Sequence, residues 1–381
     1  MKQHHSILLL LCLSAGSSAT KCASSADCSY NGKCAKGACA CRAAWSGPSC
    51  ATLALLPATK GAGLHGIGSN TSSWGGSVLK GEDGKYHMWA SEMINNCGLN
   101  LWTTNSHVVH AVADSPGAAY TVADEVWPVF AHEPSVARGP KGEYVMYFVK
   151  GHPKTPWDDP AKPCQCSDGS SSGECDTSCT WKNGTFMSYA KSPAGPWSRP
   201  LEVLPHPLGP VDSNLAVVIA QNGSLVGLTR KIPGGEQGSE IHLLTASDWT
   251  DASTYKQSSD PVFSDKVISN FGLEDPFLYV DADGFYHAIF HNMLNNDDQK
   301  TCGSHAYSED GISWTFTGTA YTNKVKWTDG KTTTFSRRER PHLIIDDSGA
   351  PTHLTTGVVY GDNKGCCDDA SFTLVQPVAR T

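Results

Sequence analysis

The sequence has few charged residues and no excess of basic ones. Only 17% of its 381 residues are Asp, Glu, Lys or Arg, against about 25% in an average protein, so long solvated helices laced with ion pairs are not expected. Its 29 basic and 37 acidic side chains give a net charge of −8. Because no basic field exists to attract phosphates, we expect neither nucleic acid nor an anionic membrane as a partner.

Long apolar runs are also missing. Beyond the N-terminus no stretch approaches the roughly 18 apolar residues of a transmembrane helix, so no membrane span is expected. The one compact apolar run, residues 7–13, follows Lys2 and precedes small residues up to Thr20. This order is typical of a signal peptide. We therefore predict a signal peptide over residues 1–20 and a secreted, extracellular protein.

Turn-forming residues and cysteines are abundant instead. The 37 glycines and 22 prolines predict many turns and a mostly β protein. Cys12 falls within the signal peptide, so 15 cysteines minus this one leave 14, an even number that an oxidising compartment favours. Glycosylation sequons at Asn70, Asn183 and Asn222 agree with export.

Six cysteines lie close together near the N-terminus: Cys22, Cys28, Cys34, Cys39, Cys41 and Cys50. So short a stretch cannot bury a useful core, and disulfides must stabilise it. The cysteine spacing, the Asn31-Gly32 turn and Gly47 resemble an EGF-like module over residues 21–51. The resemblance implies three disulfides, Cys22–Cys34, Cys28–Cys39 and Cys41–Cys50. Residues 20–21 lack the acidic side chains of the calcium-binding subtype, so we expect a spacer or a contact surface for an extracellular protein.

The eight other cysteines are Cys97, Cys164, Cys166, Cys175, Cys179, Cys302, Cys366 and Cys367. By spacing alone, the four between residues 164 and 179 could bind zinc. In an exported protein four disulfides are the favoured interpretation, and they would tie down the insertion at residues 154–182.

A repeat runs through the rest of the chain. A turn glycine followed by an alternating strand recurs five times, at Gly84, Gly142, Gly223, Gly284 and Gly349, which are 58, 81, 61 and 65 residues apart. Asp-Gly and Asn-Gly turns are strong hairpin signals. Units of this length predict an all-β, five-bladed β-propeller over residues 60–381. A pair of β-sandwiches would not explain the regular spacing. The predicted blades are 64–130, 131–205, 210–263, 272–322 and 336–378.

Charged residues recur where the first strand of each unit begins. In a propeller the first strands of all blades begin at the same end of the central axis, so we expect these charged side chains to form one binding or catalytic site. The alternative is that each acidic side chain only accepts hydrogen bonds from backbone amides. The residues concerned are His132, Glu133, Asp212, Glu274, Asp275, Arg338, Glu339, Arg340 and His342.

With these motifs, residues 64–378 resemble the family 43 glycoside hydrolases and their relatives. The resemblance rests on the blade pattern, on Leu273-Glu274-Asp275-Pro276 and on Arg338-Glu339-Arg340-Pro341. It implies hydrolysis of a poly- or oligosaccharide, often an arabinofuranoside, xyloside or galactoside, by three carboxylates and without a required cofactor. The matching residues are Glu274 as the acid and Asp212, or the adjacent Asp275, as the group that raises its pKa.

The first blade departs from that family. No Asp or Glu occurs between Asp27 and Glu82, so the expected catalytic base is missing around residues 72–76. Glu133 or Glu92 could replace it. The alternative is a carbohydrate-binding propeller that has lost the base.

Four further expectations concern ligands. Trp74, at the vacant first-blade position, is a candidate sugar platform. Arg338 and Arg340 could bind a sugar carboxylate or sulfate, or pair with Glu339 or Glu274. His132 and His342 are expected at the same end of the propeller and are further candidates for substrate binding. The resemblance also allows a structural calcium, for which residues 295–298, His291 or His305 could provide ligands.

Overall fold

The computed structural model describes residues 21–151, 183–206, 213–231, 239–263, 272–293, 302–359 and 371–380. Regular structure in these ranges is almost entirely β. The exceptions are a four-residue α-helix, Trp102–Asn105, and single-turn 3₁₀ helices at Ala26–Cys28, Leu99–Leu101 and Ala252–Thr254. Within the described ranges no helix is both long and apolar enough to cross a bilayer.

The N-terminal cysteine-rich segment forms two small hairpins. Their strands are β1 (Gly32–Ala35), β2 (Ala38–Cys41), β3 (Trp45–Ser46) and β4 (Thr52–Leu53). The disulfides are Cys22–Cys34, Cys28–Cys39 and Cys41–Cys50, the pairing that the EGF-like resemblance implies. Cys97 is disulfide-bonded as well. The insertion at 154–182 with its four cysteines, Cys366, Cys367 and the side chain of Cys302 lie outside the described part of the chain.

Most of the remaining strands form five antiparallel blades, confirming the predicted five-bladed propeller. Blade 1 contains β6 (Ser72–Lys80), β7 (Tyr86–Met93), β8 (Ser106–Ala113) and β9 (Ala119–Trp127), preceded by the short β5 (Gly63–Leu64). Blade 2 contains β10 (Ala131–Arg138), β11 (Tyr144–Gly151), β12 (Asn183–Ala190) and β13 (Leu201–His206). Blade 3 contains β14 (Ala216–Ile219), β15 (Leu225–Lys231), β16 (Glu240–Ala246) and β17 (Lys256–Pro261).

Blade 4 contains β18 (Leu273–Val280), β19 (Tyr286–Asn292), β20 (Cys302–Ser308) and β21 (Trp314–Tyr321). A separate hairpin of β22 (Lys324–Lys326) and β23 (Thr332–Thr334) leads to blade 5, which contains β24 (Arg337–Ile345), β25 (Pro351–Val359) and β26 (Ser371–Pro377).

The ring of blades closes through β5. This strand pairs antiparallel with β26 of blade 5 and parallel with β9 of blade 1, so that both blades join in one eight-stranded sheet. The first strands of the blades contact one another in the cyclic order β6, β10, β14, β18 and β24. Closure pairs sheet edges that would otherwise be exposed, and it places the five first strands around one axis.

The hydrophobic core lies between the blades. Each blade is covered by neighbours on both faces, so its inner strands read as continuous apolar runs rather than alternating ones. In β11, for example, residues 144–149 are all buried. Between blades 2 and 3, Tyr147 and Val145 pack with Leu215 and Leu244.

The cysteine-rich module packs against blade 4. Trp45 is 4% exposed and shares a cluster with Tyr279 and Ile289. Arg42 pairs with Asp281 through Nη1 and Oδ2 at 2.8 Å and also with Asp283. These contacts make the module part of the molecule's core rather than a separate spacer.

Two histidines of blade 4 lie beneath the module. Nδ1 of His287 and Nε2 of His305 are 3.1 Å apart, and the ring of Trp45 lies 4.8 Å from that of His305. Desolvation lowers the pKa of both imidazoles. The charged groups that face the pair are Asp281, 3.5 Å from Nε2 of His287, and Arg42.

Acidification should therefore destabilise the protein. Histidines in the unfolded chain bind a proton near pH 6.5, whereas the two buried imidazoles bind it only at lower pH. Protonation therefore favours the unfolded state, and the free energy of unfolding falls as pH decreases below about 6.5. Urea unfolding at pH 7 and pH 5 should show a loss in the wild type and a smaller loss in His305→Gln. Equal losses in the two proteins would refute a role for the pair.

Candidate functional site

Every blade has a residue with positive φ near the start of its first strand; in blade 3 it lies just before β14, and in blade 1 Gly76 also has a positive φ. These residues are Gly75 (φ 69°), Glu133 (54°), Asn214 (43°), Asp275 (52°) and Arg340 (55°). In blades 1, 2, 4 and 5 the strand pairing shifts at this point, which defines a β-bulge. Proline follows in blades 2, 4 and 5, and its lack of an N–H suits a position where the ladder is interrupted.

The side chains at these positions form a buried ionic network, here called the axial network. Its members are Glu133, Asn214, Asp275 and Arg340. Nη1 of Arg340 lies 2.8 Å from Oε2 of Glu133 and 3.0 Å from Oδ1 of Asp275. Nδ2 of Asn214 donates to Oε2 of Glu133 at 2.6 Å. The network therefore links blades 2, 3, 4 and 5.

Blade 1 contributes only Gly75 at this level. A Cβ on Gly75 would lie 2.6 Å from Cγ of Arg340. The side chain of Arg340 thus occupies the space beside the first blade where the family's catalytic base was expected. Glu92, one of the two proposed replacements, binds His65 and His107 instead. Glu92 also does not line the axial cavity of about 180 Å³ that lies against the axial network.

A cavity of about 180 Å³ lies against the axial network. Four of its lining residues stand one position before the positive-φ residue of their blade: Trp74, His132, Glu274 and Glu339. The other lining residues are Leu99, Asn100, Trp102, Glu133, Arg230, Asp275 and Arg337. Trp74, His132, Glu274 and Glu339 thus face the cavity, while Glu133 and Asp275 both line it and bind Arg340 in the axial network.

Glu274 is held by two cationic partners. Its Oε2 lies 2.9 Å from Nη1 of Arg230, and its Oε1 lies 2.7 Å from Nδ1 of His291. Burial raises the pKa of Glu274, but Arg230 and His291 outweigh this effect and lower the pKa to about 2. Burial lowers the pKa of His291, but Glu339 and Glu274 raise it to about 9. At neutral pH the pair is thus a carboxylate and an imidazolium.

Glu339 forms a bidentate pair with Arg337. Nε and Nη2 of Arg337 donate to Oε1 and Oε2 of Glu339, each at 2.7 Å. Oε1 of Glu339 also lies 3.9 Å from Nε2 of His291. The guanidinium of Arg337 lies 5.2 Å from the ring centre of Trp74. This pairing fixes the carboxylate at the cavity wall.

Carboxylate oxygens of Glu274, Asp275 and Glu339 and a nitrogen of His291 lie within 4.8 Å of one another. Such a set could in principle hold a metal ion. Each of these carboxylates already has a cationic partner, so a metal ion here would have to displace Arg230, Arg337 or Arg340. The predicted calcium loop at 295–298 lies outside the described residues. The structural calcium stays a prediction.

Only some of the other predicted site residues line the cavity. Trp74 and His132 line the cavity, although Trp74 is only 3% exposed. Arg338 is fully buried, donates to the carbonyl of Thr322 and to Gln376, and does not line the cavity. His342 is buried beside Phe277 and does not line it either. Asp212 lies outside the described residues.

Sequence reasoning missed Arg230, Arg337 and the pairing of His291 with Glu274. Alternation along β24 was a usable signal for Arg337, because residues 337 and 339 share one face while Arg338 points to the other. No local signal identifies Arg230, which reaches Glu274 from the neighbouring blade.

Comparison with protein families and with curated proteins gives no match. Solved structures do resemble the chain. A family 117 glycoside hydrolase from the marine bacterium Zobellia galactanivorans is 11% identical, with a TM-score of 0.56 over 86% of this chain and 90% of that one. A thermostable family-43 glycoside hydrolase is 14% identical, with a TM-score of 0.52 and coverage of 82% and 90%. An α-L-arabinofuranosidase from Lactobacillus brevis is 15% identical, with a TM-score of 0.50 and coverage of 82% and 92%. These likenesses establish the propeller fold.

Replacing Gly75 by alanine should destabilise the protein. The added methyl group meets a side chain that Asp275 and Glu133 hold in place, and overpacking of this kind costs about 1–3 kcal/mol. Gly84→Ala is the matched control, since Gly84 has a similar φ of 79° and nothing within 4 Å of its Cβ position. Equal free energies of unfolding for the two variants would contradict the close approach of Arg340.

Replacing Arg340 by glutamine should cost about 3–5 kcal/mol, because it leaves Glu133 and Asp275 buried without their cation. Arg380→Gln, which removes an exposed pair with Asp346, should cost less than about 1 kcal/mol. Urea denaturation of both variants tests the difference. A small loss in Arg340→Gln would show that the axial network contributes little to stability.

Proposed function

We propose that this protein hydrolyses glycosidic bonds in the axial cavity. The observation that carries the proposal is the placement of Glu274 and Glu339, whose oxygens lie within 4.8 Å at the wall of a cavity that also contains Trp74 and Trp102. Two carboxyl groups that flank a bond are the usual machinery of glycoside hydrolysis. The propeller fold shared with glycoside hydrolases supports the same conclusion.

The cavity volume of about 180 Å³ suits one sugar ring better than a long chain segment. We therefore favour cleavage at the end of a poly- or oligosaccharide. The separation of the two carboxylates is shorter than the roughly 6.5–9.5 Å that leaves room for a water molecule between them. This separation favours direct attack on the anomeric carbon and retention of configuration.

The charges support a different role for each carboxyl group. Arg337 holds Glu339 as the carboxylate that attacks the anomeric carbon and displaces the leaving oxygen, which Glu274 protonates. A water molecule, deprotonated by Glu274, then cleaves the ester between the sugar and Glu339 and regenerates both carboxyl groups. Arg230 and His291 keep Glu274 ionised in the free protein. A bound sugar that displaces Arg230 removes the main opposing charge, and burial then raises the pKa of Glu274 so that it can protonate the leaving oxygen. The part of Asp212 in setting this pKa stays a prediction.

A second function is favoured by one observation. At the level of the axial network, blade 1 offers only Gly75, and Arg340 fills the adjacent space. A propeller that has lost its first-blade carboxylate could bind a sugar in the same cavity without cleaving it. The measurement below separates the two functions.

Release of reducing sugar from a panel of plant and algal oligo- and polysaccharides should occur with the wild type. Glu274→Gln and Glu339→Gln should each lower the rate at least about 100-fold, because each removes a group that acts on the reacting atoms. Glu82→Gln, a change at an exposed turn position, should leave the rate unchanged.

Full activity in either cavity variant would remove that residue from the mechanism. No release by the wild type, together with retention on an immobilised glycan, would establish the binding function instead.

A further inference from the structure

Two arginines of the cavity wall are more exposed than the carboxylates they bind. The side chains of Arg337 and Arg230 are 30% and 18% exposed, whereas those of Glu274 and Glu339 are 14% and 7% exposed. Both arginines thus keep part of their surface accessible to solvent while they pair with the carboxylates at the cavity wall.

Arg337 has donor capacity left for a ligand. Its Nε and Nη2 both bind Glu339, while in the described part of the chain Nη1 makes no hydrogen bond. Its guanidinium lies over Trp74, which fixes the plane of the group. A pre-oriented planar guanidinium is well suited to bind a carboxylate or a sulfate.

We propose that the sugar bound in this cavity is anionic, a uronic acid or a sulfate ester, and that its charged group binds Arg337 and Arg230. This inference rests on the proposed function and names its substrate class. The anion would compete with Glu274 for Arg230. Binding of the correct sugar thus weakens the contact that keeps Glu274 ionised and favours its protonated form.

Calorimetric titration in the Glu274→Gln background tests the proposal without turnover. The probes are galacturonic acid, galactose 6-sulfate and neutral galactose, and their oligomers where single sugars bind weakly. At least one anionic sugar should bind about 10-fold or more tightly than galactose. The preferred anion distinguishes a carboxylate ligand from a sulfate.

Arg337→Gln should abolish the preference for the anionic sugar, and Arg337→Lys should restore part of it, since lysine keeps the charge but not the planar fork. Arg199→Gln, which removes an exposed arginine outside the cavity, should leave the preference intact. Thermal unfolding of each variant shows that the fold is retained.

Equal affinity for galactose and both anions, binding of no sugar, or an unchanged preference in Arg337→Gln would overturn the inference. Hydrolysis of neutral glycans without any anionic preference would overturn it while leaving the hydrolase proposal intact. Binding of an anionic sugar without hydrolysis of any glycan would support it and reject the hydrolase proposal.

Discussion

The buried guanidinium of Arg340 is the interaction on which the rest of this structure depends. It neutralises Glu133 from blade 2 and Asp275 from blade 4 and packs directly on Gly75 of blade 1. A buried carboxylate without its partner costs several kcal/mol, so the blades must meet at the axis in one arrangement. Glu274 and Glu339 each precede a member of this network by one residue, and their positions follow from it.

Blade 4 connects the cysteine-rich module with the cavity. His287, Ile289 and His291 alternate along β19 and therefore share one face of the strand. Trp45 of the module packs on this face near His287 and Ile289, while His291 contacts Glu274 about 13 Å further along. The module thus packs on the strand that carries His291 to the cavity wall, which gives it a structural role in the propeller.

Much of the fold could be predicted from the sequence because its signals are local. Turn glycines such as Gly84 and Gly284 need positive φ where a hairpin reverses, and both have it. The three disulfides between residues 22 and 50 match those implied by the EGF-like resemblance. The closure of the ring by β5 was not predicted, because a two-residue strand carries no periodicity.

The sequence by itself determined the residue types of the site and their place at the strand starts: the proline after Glu133, Asp275 and Arg340 marks the bulge in each of those blades. Only the tertiary structure decided their roles. Arg340 binds Glu133 across 207 residues of sequence, and Arg230 reaches Glu274 from another blade. Alternation along β24 places Arg337 and Glu339 at the cavity and Arg338 on the opposite face. Such partners are fixed by burial and charge balance at the axis, which no local pattern encodes.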